Sequence, residues 1–168
     1  LAWTATGVAS PDVLRAVWVP PEGGDAWIAS GTTLYRWDGS TLATLVTPAT
    51  TTLTSVWASS QTDIYAVGTS STILHGDGTT FPASQLPVTT RTLFGVGGSG
   101  PNDVYVVGSG ATLVHFEAGA WVQATLPGDV GTTSLRAVWA DAPNDVFVVG
   151  TGTTILHFDG TTWAHSPA

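Results

Sequence analysis

Apolar residues along this chain fall into short runs, and the runs recur in a fixed order. The first, run a, is LRAVW from Leu14, LTSVW from Leu53, LFGVG from Leu93 and LRAVW again from Leu135. These starts are 39, 40 and 42 residues apart. A turn carrying Asp25, Asp63, Asp103 or Asp145 follows each. Run b comes next: AWIAS, IYAVG, VYVVG, VFVVG. After a Gly/Ser/Thr turn comes run c: TLYRW, TILHG, TLVHF, TILHF. An acidic turn at Asp38, Asp77, Glu117 or Asp159 leads to run d, which starts at Leu42, Phe81, Trp121 or Trp163.

Each run is about five to seven residues, a strand's length, and is filled with β-branched and aromatic residues. Runs a and b are almost continuously apolar, which predicts strands covered on both faces. No stretch offers a helical stripe. The Asp-Gly steps at Asp38, Asp77 and Asp159 predict two-residue type I′ hairpins, and Glu117-Ala118-Gly119 breaks that pattern. Four antiparallel strands repeating near 40 residues predict an all-β fold, a β-propeller of four-stranded blades. The blades are assigned to 14–52, 53–92, 93–134 and 135–168, within a single domain.

Residues 1–13 precede the first full copy. Trp3 lies as far before Leu14 as Leu42 lies before Leu53, so this segment reads as an extra outer strand d. Closed rings of short blades run up to about eight blades. Four copies plus a spare strand therefore leave two readings open: a ring closed within the chain, or half of an eight-bladed ring completed by a second chain. The second would also cover exposed strand edges. A homodimer or other homo-oligomer is the expectation.

The run LRAVWADAPNDVFVVGTGTTILHFDGTTW, residues 135–163, resembles repeats of secreted or surface-anchored bacterial propeller proteins. Its strand layout is similar to WD40 blades, and its DGTTW ending resembles the Asp-box of sialidase-type propellers. Asp159 and Gly160 are adjacent here, unlike in that box, so no sialidase chemistry is implied. The resemblance implies an extracytoplasmic protein that binds proteins or glycans.

Charge changes the picture further. Only 10 % of residues are charged and the net charge is −8. Lysine is absent, and the fixed cations are Arg15, Arg36, Arg91 and Arg136. Nucleic-acid binding needs clustered basic charge, so that class is excluded. Membrane insertion is not expected, because no apolar run reaches spanning length. Without cysteine there is neither disulfide nor thiolate metal site. Ten acids fall in or beside the a–b and c–d turns, which predicts one acidic end of the disc. That end suits solubility, a basic partner or, more weakly, calcium. No other cofactor or metal is expected.

Residues that recur in every copy read first as blade structure. His75, His115 and His157, with Arg36 in the first copy, are read as bonding a neighbouring turn. Blades stand on the order of 10 Å apart, too far for one zinc ion to hold all three. Asp25, Asp63, Asp103 and Asp145 are read as accepting backbone N–H bonds in the a–b turn. Trp18, Trp57 and Trp139 are read as packing between blades. Private residues are better ligand candidates: Trp37, for stacking on a sugar, with Arg36 and Arg91. The d–a and b–c loops vary most, which points to that face as the binding face. No nucleophile motif or asymmetric acid pair is present. The expectation is a non-catalytic binding module for a glycan or protein, with a structural self-assembling ring as the alternative and a glycosidase-like enzyme as a distant one.

Overall fold

The computed structural model describes residues 13–45, 47–84, 86 and 90–166. The chain is a β-propeller of four blades. Blade 1 holds β1 (Leu14–Trp18), β2 (Ala26–Ser30), β3 (Thr33–Trp37) and β4 (Leu42–Leu45). Blade 2 holds β5 (Leu53–Ser60), β6 (Asp63–Gly68) and β7 (Ile73–Gly76). Blade 3 holds β8 (Leu93–Gly100), β9 (Asp103–Gly108), β10 (Thr112–Glu117) and β11 (Ala120–Gln123). Blade 4 holds β12 (Leu135–Ala142), β13 (Asp145–Gly150), β14 (Ile155–Phe158) and β15 (Trp163–His165). Each blade is an antiparallel meander in sequence order. The extra strand read at residues 1–13 lies, but for Val13, outside the described residues.

Two expectations fail locally. Run d of blade 2 is not a strand; it makes only an isolated bridge between Leu74 and Ala83. Pro82 is the reason. It can accept from the His75 N–H, at 3.2 Å, but has no N–H to return. The c–d turns are also not as predicted. Trp37 pairs with Leu42 and Phe158 with Trp163, so these loops have four residues rather than two. Only Gly39, Gly78 and Gly160 take positive φ in them. The Asp accepts the N–H groups of the second and third following residues: Ser40 and Thr41 on Asp38, Thr79 and Thr80 on Asp77, Thr161 and Thr162 on Asp159. The two-residue turn with both central φ positive is in blade 3, at Ala118 (49°) and Gly119 (83°), between paired Glu117 and Ala120.

Strands a of neighbouring blades pack on one another around the axis. Three apolar cores lie between blades. Trp27, Ala29 and Leu34 of blade 1 pack on Leu53, Val56, Ile64, Ala66 and Leu74 of blade 2. Trp57, Tyr65, Val67 and Ile73 of blade 2 pack on Leu93, Val96, Val104 and Val106 of blade 3. Tyr105, Val107 and Leu113 of blade 3 pack on Leu135, Val146, Val148 and Leu156 of blade 4. Burying each large side chain contributes about 1.5–3 kcal/mol. Polar staples add register: Trp18 Nε1 donates to the Ala58 carbonyl at 2.8 Å, and Thr54 Oγ1 to the Leu93 carbonyl at 2.6 Å. Arg136 lies 4.1 Å from the Phe94 ring centroid.

Candidate functional site

The recurring Asp and His form one device in each of blades 2 to 4. His75 Nε2 donates to Asp63, His115 Nε2 to Asp103 and His157 Nε2 to Asp145, each at 2.7 Å. The imidazole stacks on the ring at the third position of strand b: Tyr65 at 4.0 Å, Tyr105 at 4.1 Å and Phe147 at 4.4 Å. Ser59 and Ser99 hydroxyls donate to Asp63 and Asp103. Asp63, Asp103 and Asp145 thus take bonds from side chains across the sheet, where the expectation was backbone N–H groups of their turn. Ser and His supply directional donors across the sheet, and the aspartate reaches them from the first residue of strand b. In blade 1, Arg36 pairs with Asp25 and lies 5.8 Å from the Trp27 ring.

Electrostatics follow from this geometry. Burial alone would raise the Asp103 carboxyl, but bonds from His115 and Ser99 outweigh it and hold the group below the usual range. Burial, then the Asp103 and Asp63 charges, push the Tyr105 and Tyr65 phenols above theirs. Backbone N–H bonds from the following residues depress Asp38, Asp77 and Asp159. All these acids lie at the end carrying the a–b and c–d turns. Arg15, Arg91 and Arg136 start strands a, or precede one, at the other end. The domain is therefore polarised, one end acidic. Among the described residues no three His, Asp or Glu side chains converge as metal ligands.

A groove of about 480 Å³ opens at the acidic end of the axis. Its walls are the ends of strands a from all four blades, including Trp18, Trp57 and Trp139. Trp18 and Trp57 rings are 6.3 Å apart. Blade 3 departs from the repeat here, with Gly97-Gly98 where blades 2 and 4 have Trp57-Ala58 and Trp139-Ala140. A Cβ at Gly97 would lie only 3.0 Å from the Val138 carbonyl, and one at Gly98 only 3.1 Å from the Trp57 ring. Gly97 lets strands β8 and β12 approach closely, Gly98 lets β8 lie against the Asp103 carbonyl of its own blade, and blade 3 brings no indole to the groove. Asp141 also lines the groove, standing where blades 2 and 3 have Ser59 and Ser99. A second groove, about 490 Å³, lies between the outer strands of blades 3 and 4. Its floor includes Tyr105, Phe158 and Trp163, with His115 and Glu117 at the edge.

The ligand candidates are not brought together. Arg36 and half-buried Trp37 lie at the acidic end, Arg36 engaged with Asp25. Arg91 lies at the opposite end, beside Gly110 of the b–c turn. A concavity of about 450 Å³ does exist on the d–a and b–c side, lined by Pro48, Ser70, Ser71 and Thr90 among others. The convergent tryptophans face the other way. Gly97 escaped the sequence reading, and Asp141 entered it only as one of the ten turn acids; aligning the four copies of strand a column by column exposes both as departures from the repeat.

No family model matches this chain, and no curated protein matches it. Solved structures do. YCF48 bound to D1 peptide superposes with a TM-score of 0.63 at 20 % identity, covering 71 % of this chain and 41 % of that one. The fold is that of those propellers. YCF48 from Cyanidioschyzon merolae gives 0.70 at 12 % identity, covering 92 % and 55 %. A catalytically inactive virginiamycin B lyase from Staphylococcus aureus with quinupristin gives 0.69 at 11 %, covering 92 % and 58 %. This chain spans about half the length of these propellers. At such identities the likeness shows the fold alone.

Proposed function

We propose that this propeller is a non-catalytic recognition module that binds a cationic peptide segment of a partner protein in the axial groove. One observation carries the reading: a groove walled by Trp18, Trp57 and Trp139, to which blade 3 brings Gly97 in place of an indole and blade 4 brings the Asp141 carboxylate. A guanidinium or ammonium group suits such a slot, through cation–π contact and a charge-assisted hydrogen bond. The acidic end steers cations toward it. One structural neighbour holds a peptide, which supports peptide binding on this scaffold. The acid and His that recur blade by blade stand in structural pairs, which supports the non-catalytic reading. The repeat's resemblance to secreted propellers supports an extracytoplasmic location.

The test is a tryptophan-fluorescence and calorimetric titration with oligo-arginine and Arg/Lys-bearing peptides. Saturable binding that weakens with salt and about tenfold in Asp141→Asn is expected. A blank titration at low salt, or binding indifferent to Asp141, would overturn the reading. A glycan is the second reading, favoured by the aromatic floor of the groove between blades 3 and 4. Fluorescence changes with neutral oligosaccharides that vanish in Trp163→Ala would favour it.

A further inference from the structure

We infer that a second copy of this chain covers the open faces of blades 1 and 4, so that two four-bladed arcs join head to tail in one ring. Inside the chain, the face that each blade offers its successor is buried. In blade 2 that face is Trp57 (5 % exposed), Val67 (0 %) and Ile73 (1 %). Their counterparts in blade 4 are Trp139 (56 %), Val149 (42 %) and Ile155 (38 %). The receiving face of blades 2 to 4 opens with Leu53 and Val56, Leu93 and Val96, or Leu135 and Val138, and each leucine is fully buried. Blade 1 carries the same pair as Leu14 (53 %) and Val17 (63 %), followed by exposed Val19.

The molecule therefore displays both halves of an interface that it forms three times internally. One half lies at each end of the arc, and strands β1 and β12 do not pack together as neighbouring strands a do. A second copy continues this established interface without new chemistry. Blade 4 of each arc meets blade 1 of the other, a heterologous contact that closes after two copies. The acids stand at the turns rather than on these faces, so like charge does not oppose the contact. Trp139 belongs to both the groove wall and the open face of blade 4, whereas Val149, Ile155, Leu14 and Val17 belong to the faces between blades alone. Molar mass reads the faces and peptide titration the groove.

Sedimentation equilibrium of the intact chain over 1–100 µM decides it. The expected result is a species of twice the chain mass. Trp139→Asp and Val17→Asp should each sediment as folded monomers by circular dichroism. Mixing them should restore a 1:1 pair, because one unmutated blade 4 face still meets one unmutated blade 1 face. A strictly monomeric parent chain would overturn the inference, as further blades from elsewhere would then be the natural cover. So would a Val17→Asp chain that stays dimeric, which would mean that two blade 4 faces meet each other. Should Trp139→Asp fail to fold, Val149→Lys takes its place in the same mixing experiment.

Discussion

Blades 2 and 4 carry nearly the same residues toward the next blade, and the structure gives them opposite surroundings. Trp57, Tyr65, Val67 and Ile73 are buried under blade 3. Trp139, Val149 and Ile155 face outward. The difference lies in what stands next to them. In such an array, stability is the sum of what each blade contributes alone and what each interface adds, and only the interface term differs between these two. The ring pairs within each blade are nearly the same: Trp57 to Tyr65 at 6.1 Å, Trp139 to Phe147 at 6.3 Å.

The largest effect should come from cutting the buried member of the matched tryptophans. Trp57→Ala removes a core indole that touches both blades, and a loss of about 3–5 kcal/mol is expected. Trp139→Ala removes an exposed one and should cost under about 1 kcal/mol in the dissociated chain. Urea unfolding at low protein concentration measures both. Equal losses would break the comparison.

A smaller effect separates the Asp–His devices of the inner and outer blades. Asp103 is largely covered and bonded to His115 and Ser99, whereas Asp145 is more exposed and, among the described residues, bonded to His157 with Asp141 in place of the serine. Asp103→Asn should cost about 1.5–3 kcal/mol and Asp145→Asn about 1 kcal/mol or less. The pH dependence has a definite sign. The folded Asp103 carboxyl lies below its ordinary value of 3.8. Its contribution is complete above that value and is lost as the pH falls through the lower folded value. Melting curves of the parent chain and Asp103→Asn should therefore converge below about pH 4. A gap that persists at pH 2 would assign the loss to shape rather than charge.

The periodicity carried most of this architecture, because run order and spacing are properties of sequence alone. What sat beside what was less legible. Asp63 and His75, Asp103 and His115, and Asp145 and His157 keep a constant separation of twelve residues, which sets them diagonally across strands b and c, two residues off the register that pairs each His with Tyr65, Tyr105 or Phe147. Turn chemistry alone could not distinguish that from a backbone-bonded turn. Trp139 could not be told from Trp57, since exposure depends on a neighbour and not on the residue. The groove turns on Gly97 and Asp141, whose meaning lies in where the repeat fails. Pro82, by contrast, was a readable reason to doubt the outer strand of blade 2.

The smallest prediction tests a term that should ignore neighbouring blades altogether. In the blade 3 hairpin, Ala118 holds φ of 49° and Gly119 holds 83°. Alanine in that region keeps its Cβ close to a carbonyl oxygen, while asparagine tolerates the conformation through its short polar side chain. Ala118→Asn should therefore stabilise the chain by about 0.5 kcal/mol, read as a small rise in the denaturation midpoint. Because Ala118 is exposed in its turn, the gain should be the same in the parent chain and in Trp139→Asp. A gain that depended on the open face of blade 4 would mean that the blades couple beyond their shared interfaces, and the division into blade and interface terms would fail.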